Sequence, residues 1–253
     1  MPLEIVTVPC LSDNYAYLVK GPDGVAVIDA PEAGPIVAAL EARGWVPGVI
    51  MITHHHHDHV GGVAALKDRY GCMVMGPQAE QDKLPPLDMA LPDGMTGGTA
   101  EGAMQVIAVP GHTLGHVAYH YPQGGAVFTA DSLMAGGCGR IFEGTPEMMW
   151  DSLSKLAALP PETMVYSGHE YTASNLKFAL TIEPGNAALT SRARDVAAAR
   201  AEGLPTAQVP LSLELATNPF LRAGNPGVKA ALGMENAGDV QVFAEIRARK
   251  DRF

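Results

Sequence analysis

Cysteine is scarce in this chain of 253 residues, which contains only Cys10, Cys72 and Cys138. An odd, widely spaced set of thiols argues against a disulfide framework and against a CxxC metal site, and it favours reduced thiols in the cytoplasm. Long apolar runs are also lacking, so we expect no segment that spans a bilayer. Residues 1–4 have neither the basic nor the apolar region of a secretory signal. We therefore expect a cytoplasmic protein with no membrane association.

Positive charge is the second deficit. Seventeen Lys and Arg residues against 27 Asp and Glu residues leave a net charge of −10, which argues against nucleic acid as a ligand. One group of cations nevertheless lies near the end of the chain, at Arg247, Arg249, Lys250 and Arg252. The charge pattern alone favours a solvated helix end whose cations complement the helix dipole, with an anion-binding site as the alternative.

Glycine and proline are plentiful, at 28 and 20 residues, which indicates many turns and a strand-rich or mixed architecture. Apolar and alternating segments predict strands at residues 5–8, 15–19, 25–28, 49–52, 73–75, 104–109, 117–121, 126–129 and 164–167. Helical spacing predicts helices at residues 35–42, 63–70, 151–159, 173–181, 187–201, 228–232 and 239–249. No further strand is expected after about residue 170. Strands followed by helices predict an α/β domain over residues 1–170 and a small helical domain over residues 171–253.

The most informative segment is residues 53–59, THHHHDH, which places five imidazoles and one carboxylate within seven residues. Imidazole and carboxylate together suit zinc, iron or manganese, whereas thiolates are expected at a purely structural zinc site. The run follows residues 49–52, a predicted buried strand, so its side chains would be held on a rigid element. A tag-like polyhistidine tract is the alternative, but tags lie at termini, and this run is internal and interrupted by Asp58.

Three distant residues share one local setting, a metal-type side chain just beyond an apolar strand. They are His112, Asp131 and His169. Each alone is more typical of a cap or a turn, but three in one chain indicate one shared site. We expect His55 and His57 either to point away from it or to support its ligands from behind, and His116 and His120 to be ordinary strand residues.

These residues, together with further motifs, resemble those of a known superfamily over essentially the whole chain. Four motifs resemble those of the metallo-β-lactamase superfamily, whose fold is an αββα sandwich: the HxHxDH run, Gly-His112-Thr, Thr-Ala-Asp131 and Ser-Gly-His169. Asp29, which closes the predicted strand 25–28, resembles the first motif of that superfamily. Three further segments are similar to the glyoxalase II family, the hydroxyacylglutathione hydrolases: residues 136–145, residues 168–178 and residues 218–222. The implied fold is an α/β metallo-β-lactamase-like sandwich with a small C-terminal α-helical domain.

The resemblance implies two divalent metal ions, with zinc first and iron or manganese as alternatives. One metal would be held by His54, His56 and His112, and the other by Asp58, His59 and His169. Asp131 would bridge them together with a water or hydroxide, and Asp58 and Asp131 would be the catalytic carboxylates. Two cations about 3.5–4 Å apart need a bridging anion, which a carboxylate supplies. Asp29 would orient a ligand histidine.

The implied activity is hydrolysis of S-(2-hydroxyacyl)glutathione, such as S-D-lactoylglutathione, to glutathione and a 2-hydroxy acid such as D-lactate, the last step of methylglyoxal detoxification. The chain has no GxSxG nucleophile elbow, which fits attack by a metal-bound hydroxide. The leaving thiolate has a pKa of roughly 8.5 by analogy with cysteine, so no dedicated general acid is needed.

The implied substrate contacts are Arg140, Phe142, Tyr171, Arg247 and Lys250. Glutathione carries two carboxylates, so its binding site needs fixed positive charge. The resemblance therefore reverses the interpretation of the C-terminal cations as a solvated helix end. Phe142 stands where some relatives carry Tyr, so a hydroxyl contact to glutathione is absent or replaced.

Three alternatives are weighed against this interpretation. A glutathione persulfide dioxygenase would share the fold but use one iron and fewer ligands, and the full ligand set with residues 218–222 argues against it. A β-lactamase is disfavoured because Asp58 adds a ligand that those enzymes commonly lack and no export signal is visible. A catalytically silent metal-binding relative is the alternative from another class. On the favoured interpretation the partner is a small-molecule glutathione thioester and the protein is a monomer.

Overall fold

The structure is a computed structural model, and it describes residues 3–99 and 102–253. Its strands are β1 Glu4–Cys10, β2 Asn14–Gly21, β3 Gly24–Ile28, β4 Val49–Met51, β5 Met73–Pro77, β6 Met89–Leu91, β7 Thr96–Gly97, β8 Met104–Ala108, β9 Val117–Tyr121, β10 Ala126–Ala130, β11 Leu133–Met134, β12 Gly137–Cys138, β13 Met164–Ser167 and β14 Gln208–Pro210. Its α-helices are α1 Ala33–Glu41, α2 His57–Val60, α3 Val63–Tyr70, α4 Pro146–Ala157, α5 Thr172–Ile182, α6 Ala187–Ala201, α7 Leu211–Thr217, α8 Pro226–Leu232 and α9 Asp239–Arg252. Among these described residues, no helix is long and apolar enough to cross a membrane.

The described chain forms two compact units. The first contains residues 3–108, apart from residues 100 and 101, together with residues 113–129. The second contains residues 109–112 and 130–253. The short segment 109–112 therefore leaves the first unit for four residues before the chain returns to it.

A six-stranded sheet in the order β1-β2-β3-β4-β5-β6 organises the first unit. β1, β2 and β3 pair antiparallel, whereas β3, β4, β5 and β6 pair parallel. The apolar faces of α1 and α3 close one core against this sheet, with Ile36, Leu40 and Leu66 fully buried beside Ile50. Because β3 and β4 are parallel, their carboxyl ends lie at the same edge of the sheet, where ligand sites commonly form.

Antiparallel pairs connect β7 to β8, β8 to β9 and β9 to β10. Every residue of β9 and β10 is buried, which explains why both segments are predominantly apolar, with His120 and Thr129 as exceptions, rather than alternating. The predicted strands at these positions are present, with ends that differ by one residue at most for β9 and β10.

The second unit contains helices α4 to α9, the small hairpin of β11 and β12, and the antiparallel pair of β13 and β14. The expectation of no strand after residue 170 is wrong, because β14 pairs with β13 through Val209 opposite Val165. β14 is only three residues long and ends in proline, which is too short for a sequence period. Helix α4 begins at Pro146, five residues earlier than predicted, because the Thr145 side chain caps it by accepting from the Met148 amide.

Candidate metal centre

The first unit holds four of the predicted metal ligands in one place, which we call the histidine cluster: His54, His56, Asp58 and His59. His54 lies in the loop after β4, and α2 carries Asp58 and His59 on a single helical turn. The Nε2 atom of His54 lies 3.1 Å from Nδ1 of His56. The Nε2 atom of His59 lies 3.8 Å from a carboxylate oxygen of Asp58. Four donor groups of metal-ligand type are thus assembled within one short segment.

Asp29 fixes the orientation of this cluster from the end of β3. Its carboxylate accepts from the Thr53 amide, from the Thr53 hydroxyl and from Nδ1 of His59, each at 2.8 Å. Metal-bound histidines characteristically donate their other ring N–H to a carboxylate or carbonyl in this way, which directs Nε2 at the metal. Asp29 has φ of +55°, a left-handed backbone conformation that is uncommon for residues other than Gly and concentrated at functional sites.

Two buried side chains that the sequence did not single out also hold the cluster. Asn14, at the start of β2, donates its amide to both the carbonyl and the carboxylate of Asp58 at 3.0 Å. Glu80 accepts from the amide and Nδ1 of His55, at 2.9 and 2.8 Å, and from the Gly115 amide. Glu80 therefore holds the His55 ring beside the cluster. No periodic pattern in the sequence distinguishes this buried Glu from a surface one.

His116 departs from the expectation of an ordinary strand residue. It lies one position before β9, and its fully buried ring stacks on the His54 ring with centroids 4.5 Å apart. His116 thus packs against a predicted ligand. His120 lies within β9 as expected, and burial lowers its pKa.

The second unit holds the other three predicted ligands, His112, Asp131 and His169, which we call the aspartate cluster. All three are at most 5% exposed. The Nε2 atoms of His112 and His169 each lie 3.3 Å from the same carboxylate oxygen of Asp131. Two imidazoles therefore face one carboxylate from either side, an arrangement of donor atoms that fits a divalent cation.

The backbone around the aspartate cluster is shaped by close approach. Gly111, next to His112, has φ of +148°, and a Cβ there would lie 2.9 Å from the Met149 side chain. A Cβ on Gly139 would lie 1.8 Å from the Asp131 carbonyl oxygen, so only glycine fits at that position. Ala130 adopts φ of +40° immediately before Asp131.

The ring of His112, like that of His59, is held through its Nδ1 atom, although by a different partner. Its Nδ1 atom is 2.7 Å from the Arg140 carbonyl oxygen, which fixes the ring and leaves Nε2 toward Asp131. Within each unit, the predicted ligands bring imidazole nitrogens close to another imidazole or to a carboxylate. The residues therefore fit divalent metal binding by their donor chemistry and by the anchoring of their second ring nitrogens. Nitrogen and oxygen donors of this kind accept zinc, iron and manganese alike.

The predicted cationic substrate contacts line a cleft of about 620 Å³ in the second unit. Its lining residues are Arg140, Ala173, Ser174, Lys177, Arg247, Lys250, Asp251 and Phe253. Four cations against one carboxylate make this cleft strongly positive in an otherwise acidic protein. Lys177 is the one cation here that the sequence analysis did not nominate.

The cations of this cleft differ in exposure. Arg247 is 7% exposed, donates to the Cys138 carbonyl at 3.0 Å and pairs with Asp251 at 2.9 Å. Lys250 lies over the Phe178 and Phe253 rings, and burial, followed by repulsion from Arg247, lowers its pKa. The Arg140 side chain is 60% exposed, and its Nε atom lies 3.6 Å from a carboxylate oxygen of Asp251.

Two aromatic side chains lie beside the aspartate cluster. Tyr171 stacks on the His169 ring with centroids 4.8 Å apart and planes within 8°. Phe142 is 60% exposed, and its ring lies 5.2 Å from the His112 ring. Both rings therefore offer apolar surface next to predicted metal ligands.

Comparison with known proteins places the chain in a class. The family model for the metallo-beta-lactamase superfamily matches residues 11–169, and that for the hydroxyacylglutathione hydrolase C-terminus matches residues 170–253. Among solved structures, the protein TTHA1623 in a di-iron-bound form is 30% identical with a TM-score of 0.62, and covers 86% of this chain and 100% of its own. ETHE1 from Myxococcus xanthus is 24% identical with a TM-score of 0.64, over 99% of this chain and 98% of its own, and shows the shared fold. The fold is therefore that of the metallo-β-lactamase superfamily, followed by a helical C-terminal region.

Curated relatives narrow the class. Hydroxyacylglutathione hydrolase from Ruegeria pomeroyi is 59% identical over 100% of both chains. The protein of the same name from Mesorhizobium japonicum is 49% identical, again over 100% of both chains. The chain belongs to the hydroxyacylglutathione hydrolase family.

Proposed function

We propose that this protein is a thioester hydrolase that cleaves S-(2-hydroxyacyl)glutathione, with S-D-lactoylglutathione as its substrate, to glutathione and a 2-hydroxy acid. The observation that carries this proposal is the 59% identity over the full length to a relative named hydroxyacylglutathione hydrolase. The two ligand clusters and the cationic cleft supply the chemistry that such a reaction needs.

The proposed metal assignment uses both clusters. His54, His56 and His112 hold one divalent ion, Asp58, His59 and His169 hold the other, and Asp131 is the carboxylate shared by both. Zinc is proposed as the native metal, with iron or manganese as alternatives. Asp131 suits the shared position because one of its oxygens already faces two imidazoles at 3.3 Å. Asp29 and the Arg140 carbonyl keep His59 and His112 in a single orientation through their Nδ1 atoms.

Two divalent ions at such a site acidify bound water to a pKa of about 7 and polarise a carbonyl, which removes the need for a Ser or Cys nucleophile. The chain's own contribution is to hold the ligands without reorganisation. Asp58 is fixed by Asn14, so that its carboxylate keeps one geometry while remaining 41% exposed to an incoming water. We assign Asp58 and Asp131 the role of catalytic carboxylates.

The cationic cleft binds the peptide portion of the substrate. Arg140, Arg247 and Lys250 meet the two carboxylates of glutathione, because cations in a partly desolvated cleft bind anions more strongly than exposed ones do. Arg247 is bonded to Cys138 and Asp251, which holds its guanidinium in place before a ligand arrives. Tyr171 and Phe142 present ring surfaces beside His169 and His112 for the glutathione portion of the thioester.

The test is hydrolysis of S-D-lactoylglutathione by the purified protein, measured through the release of free thiol, with the metal content of the same protein determined in parallel. We expect turnover and two divalent ions per chain. Asp131→Ala should lower metal content and hydrolysis together, while Asp68→Ala, an exposed carboxylate on α3, should leave both unchanged. A wild-type protein that holds two metals but releases no thiol would refute the proposal. Oxygen uptake with glutathione persulfide would instead favour a dioxygenase.

Three further proposals concern the protein as a whole. We propose a cytoplasmic location, supported by Cys10, Cys72 and Cys138, which are buried free thiols. We propose a monomer, to be checked by sedimentation. We also propose a division near residue 170, with a catalytic domain that carries all the metal ligands over residues 1–170 and a helical domain over residues 171–253 that binds substrate together with Arg140 and Phe142.

A further inference from the structure

One short segment of the second unit connects two of the proposed metal ligands, and we call it the ligand hairpin: residues 131–140. It begins at Asp131, forms the β11–β12 pair and ends at Arg140, whose carbonyl anchors His112. The Gly139 amide donates back to the Ser132 carbonyl at 3.0 Å, which closes the segment on itself. Any displacement of the hairpin therefore moves Asp131 and the partner of His112 together.

Side chains from the helical region hold the backbone of the ligand hairpin. Asn218 donates to the Gly137 carbonyl at 2.8 Å, and Asn175 donates to the Ala135 carbonyl at 3.1 Å. Arg247 donates to the Cys138 carbonyl at 3.0 Å. Three side-chain donors thus occupy hairpin carbonyls that β11 and β12 are too short to satisfy by pairing.

Glu214 lies at the centre of this network. It is fully buried in α7, and both of its carboxylate oxygens lie 3.0 Å from the amide of Gly136, at the turn of the hairpin. The same carboxylate accepts from Asn218 at 2.7 Å and from the Arg192 guanidinium. Arg192 is itself 4% exposed and also donates to the Thr217 hydroxyl at 2.7 Å.

A buried ion pair of this kind is a poor device for stability alone. Taking both charges out of water costs about as much as their attraction returns, and an apolar pair of equal volume is often as stable. The pair instead restrains geometry, because a carboxylate that accepts from several fixed donors allows only one arrangement of its neighbours. The neighbour that Glu214 holds is the turn of the ligand hairpin.

We propose that Glu214 is a positioning residue for the metal centre: through the Gly136 amide it sets the ligand hairpin, and the hairpin sets Asp131 and the Arg140 carbonyl that orients His112. This inference rests on the proposed function, since it takes His112 and Asp131 as metal ligands. It assigns the helical region a second role beside substrate binding, which is to complete the metal site.

The test compares metal binding by wild-type, Glu214→Gln and Glu183→Gln proteins. Glu214→Gln keeps the side-chain shape but replaces one carboxylate oxygen with an NH2 group. That group must face either Arg192 or Asn218, both of which are donors. Glu183 is the control because it also pairs with an arginine of the helical region, the half-buried Arg222, at 2.7 and 2.9 Å, rather than with the hairpin. Metal-free full-length proteins are titrated with Zn²⁺ against a chromophoric chelator, and the Co²⁺ proteins are compared by visible absorption. Circular dichroism verifies folding.

We expect Glu214→Gln to weaken binding of at least one ion by about tenfold, the lower end of the loss seen when partners of metal ligands are removed. Its Co²⁺ absorption should change, because ligand geometry changes. Glu183→Gln should stay within about twofold of wild type and keep the wild-type Co²⁺ spectrum. A folded Glu214→Gln protein with wild-type affinity and spectrum would overturn the proposal.

A milder variant covers the case in which Glu214→Gln does not fold. Asn175→Ala removes only the donor to the Ala135 carbonyl, and it should weaken metal binding by a smaller factor in the same assay. Unchanged affinity and an unchanged Co²⁺ spectrum in Asn175→Ala would then refute the inference. Since no step of these measurements uses the thioester, wild-type protein that binds metal but fails to hydrolyse would refute the proposed function alone.

Discussion

Replacing Asp29 by Asn should lower the affinity of the proposed metal centre for one of its ions while leaving the backbone conformation at this position unchanged. The Asp29 carboxylate receives three donors at 2.8 Å, two from Thr53 and one from Nδ1 of His59. An Asn side chain offers one acceptor oxygen. Because Oδ1 of Asp29 accepts from the Thr53 amide and Oδ2 accepts from both the Thr53 hydroxyl and His59, the Asn amide nitrogen must face either the Thr53 amide or the Thr53 hydroxyl together with Nδ1 of His59. Asn is well suited to the left-handed backbone at this position, with φ of +55°, so backbone strain does not confuse the comparison.

The expected magnitude follows from the role of Asp29. Loss of the carboxylate behind a ligand histidine typically lowers metal affinity 10- to 100-fold, which is about 1.4 to 2.8 kcal/mol. If the amide faces the His59 N–H, one buried donor is unsatisfied, which costs the metal-free fold about 1–3 kcal/mol more. The loss should therefore appear in both metal competition and thermal unfolding.

The assay is Zn²⁺ competition followed by metal analysis, with Asp88→Asn as control. Asp88 also accepts a backbone amide and a side-chain donor, from Val74 at 2.8 Å and Lys67 at 2.7 Å, but on the surface away from the histidine cluster. Asp88→Asn should keep wild-type metal affinity. If Asp29→Asn keeps it too, the orientation of His59 does not depend on Asp29, and the reasoning fails.

Three further predictions are more compact. Burial lowers the pKa of Lys250 below its usual 10.5, so its charge is lost at lower pH than for an exposed lysine; KM should rise on the alkaline side, and Lys250→Arg should flatten that rise in steady-state pH profiles. Phe142→Tyr should lower KM for S-D-lactoylglutathione with little change in kcat, whereas an unchanged KM would show that a hydroxyl there meets nothing. Burial raises the pKa of Cys10 and of Cys138 to about 11, so both should resist iodoacetamide in the folded protein and react once it is unfolded; rapid native labelling seen by mass spectrometry would contradict their burial.

The sequence suffices to nominate the proposed metal ligands because several of them follow strands that are apolar and easily recognised. His54 follows β4, His112 follows β8 after a short loop, and His169 follows β13. A polar side chain at the carboxyl end of such a strand is a local signal that can be recognised without knowledge of packing. The fold class follows from the same order of strands and helices.

The supporting residues are beyond such patterns. Glu80, Asn14 and Glu214 are polar residues that a sequence period assigns to the surface, yet each is at most 4% exposed. Their burial depends on partners that are distant in the chain, as between Asn14 and Asp58 or between Glu214 and Gly136. Secondary structure was likewise missed where it is shortest, in β11, β12 and β14, because two or three residues show no period.

The ligand hairpin also determines when the metal centre can be completed during synthesis. Asp131 and Arg140 leave the ribosome well before Glu214 and Arg247, the residues that hold their backbone. At about 5–20 residues per second, the last of these follows on the order of ten seconds later. Until then a nascent chain carries the histidine run but not the rigid frame for its partner ligands. On the proposed metal assignment, we therefore expect the metal site to be completed late in synthesis. A chain that ends before Glu214 should bind metal with lower affinity than the full-length protein.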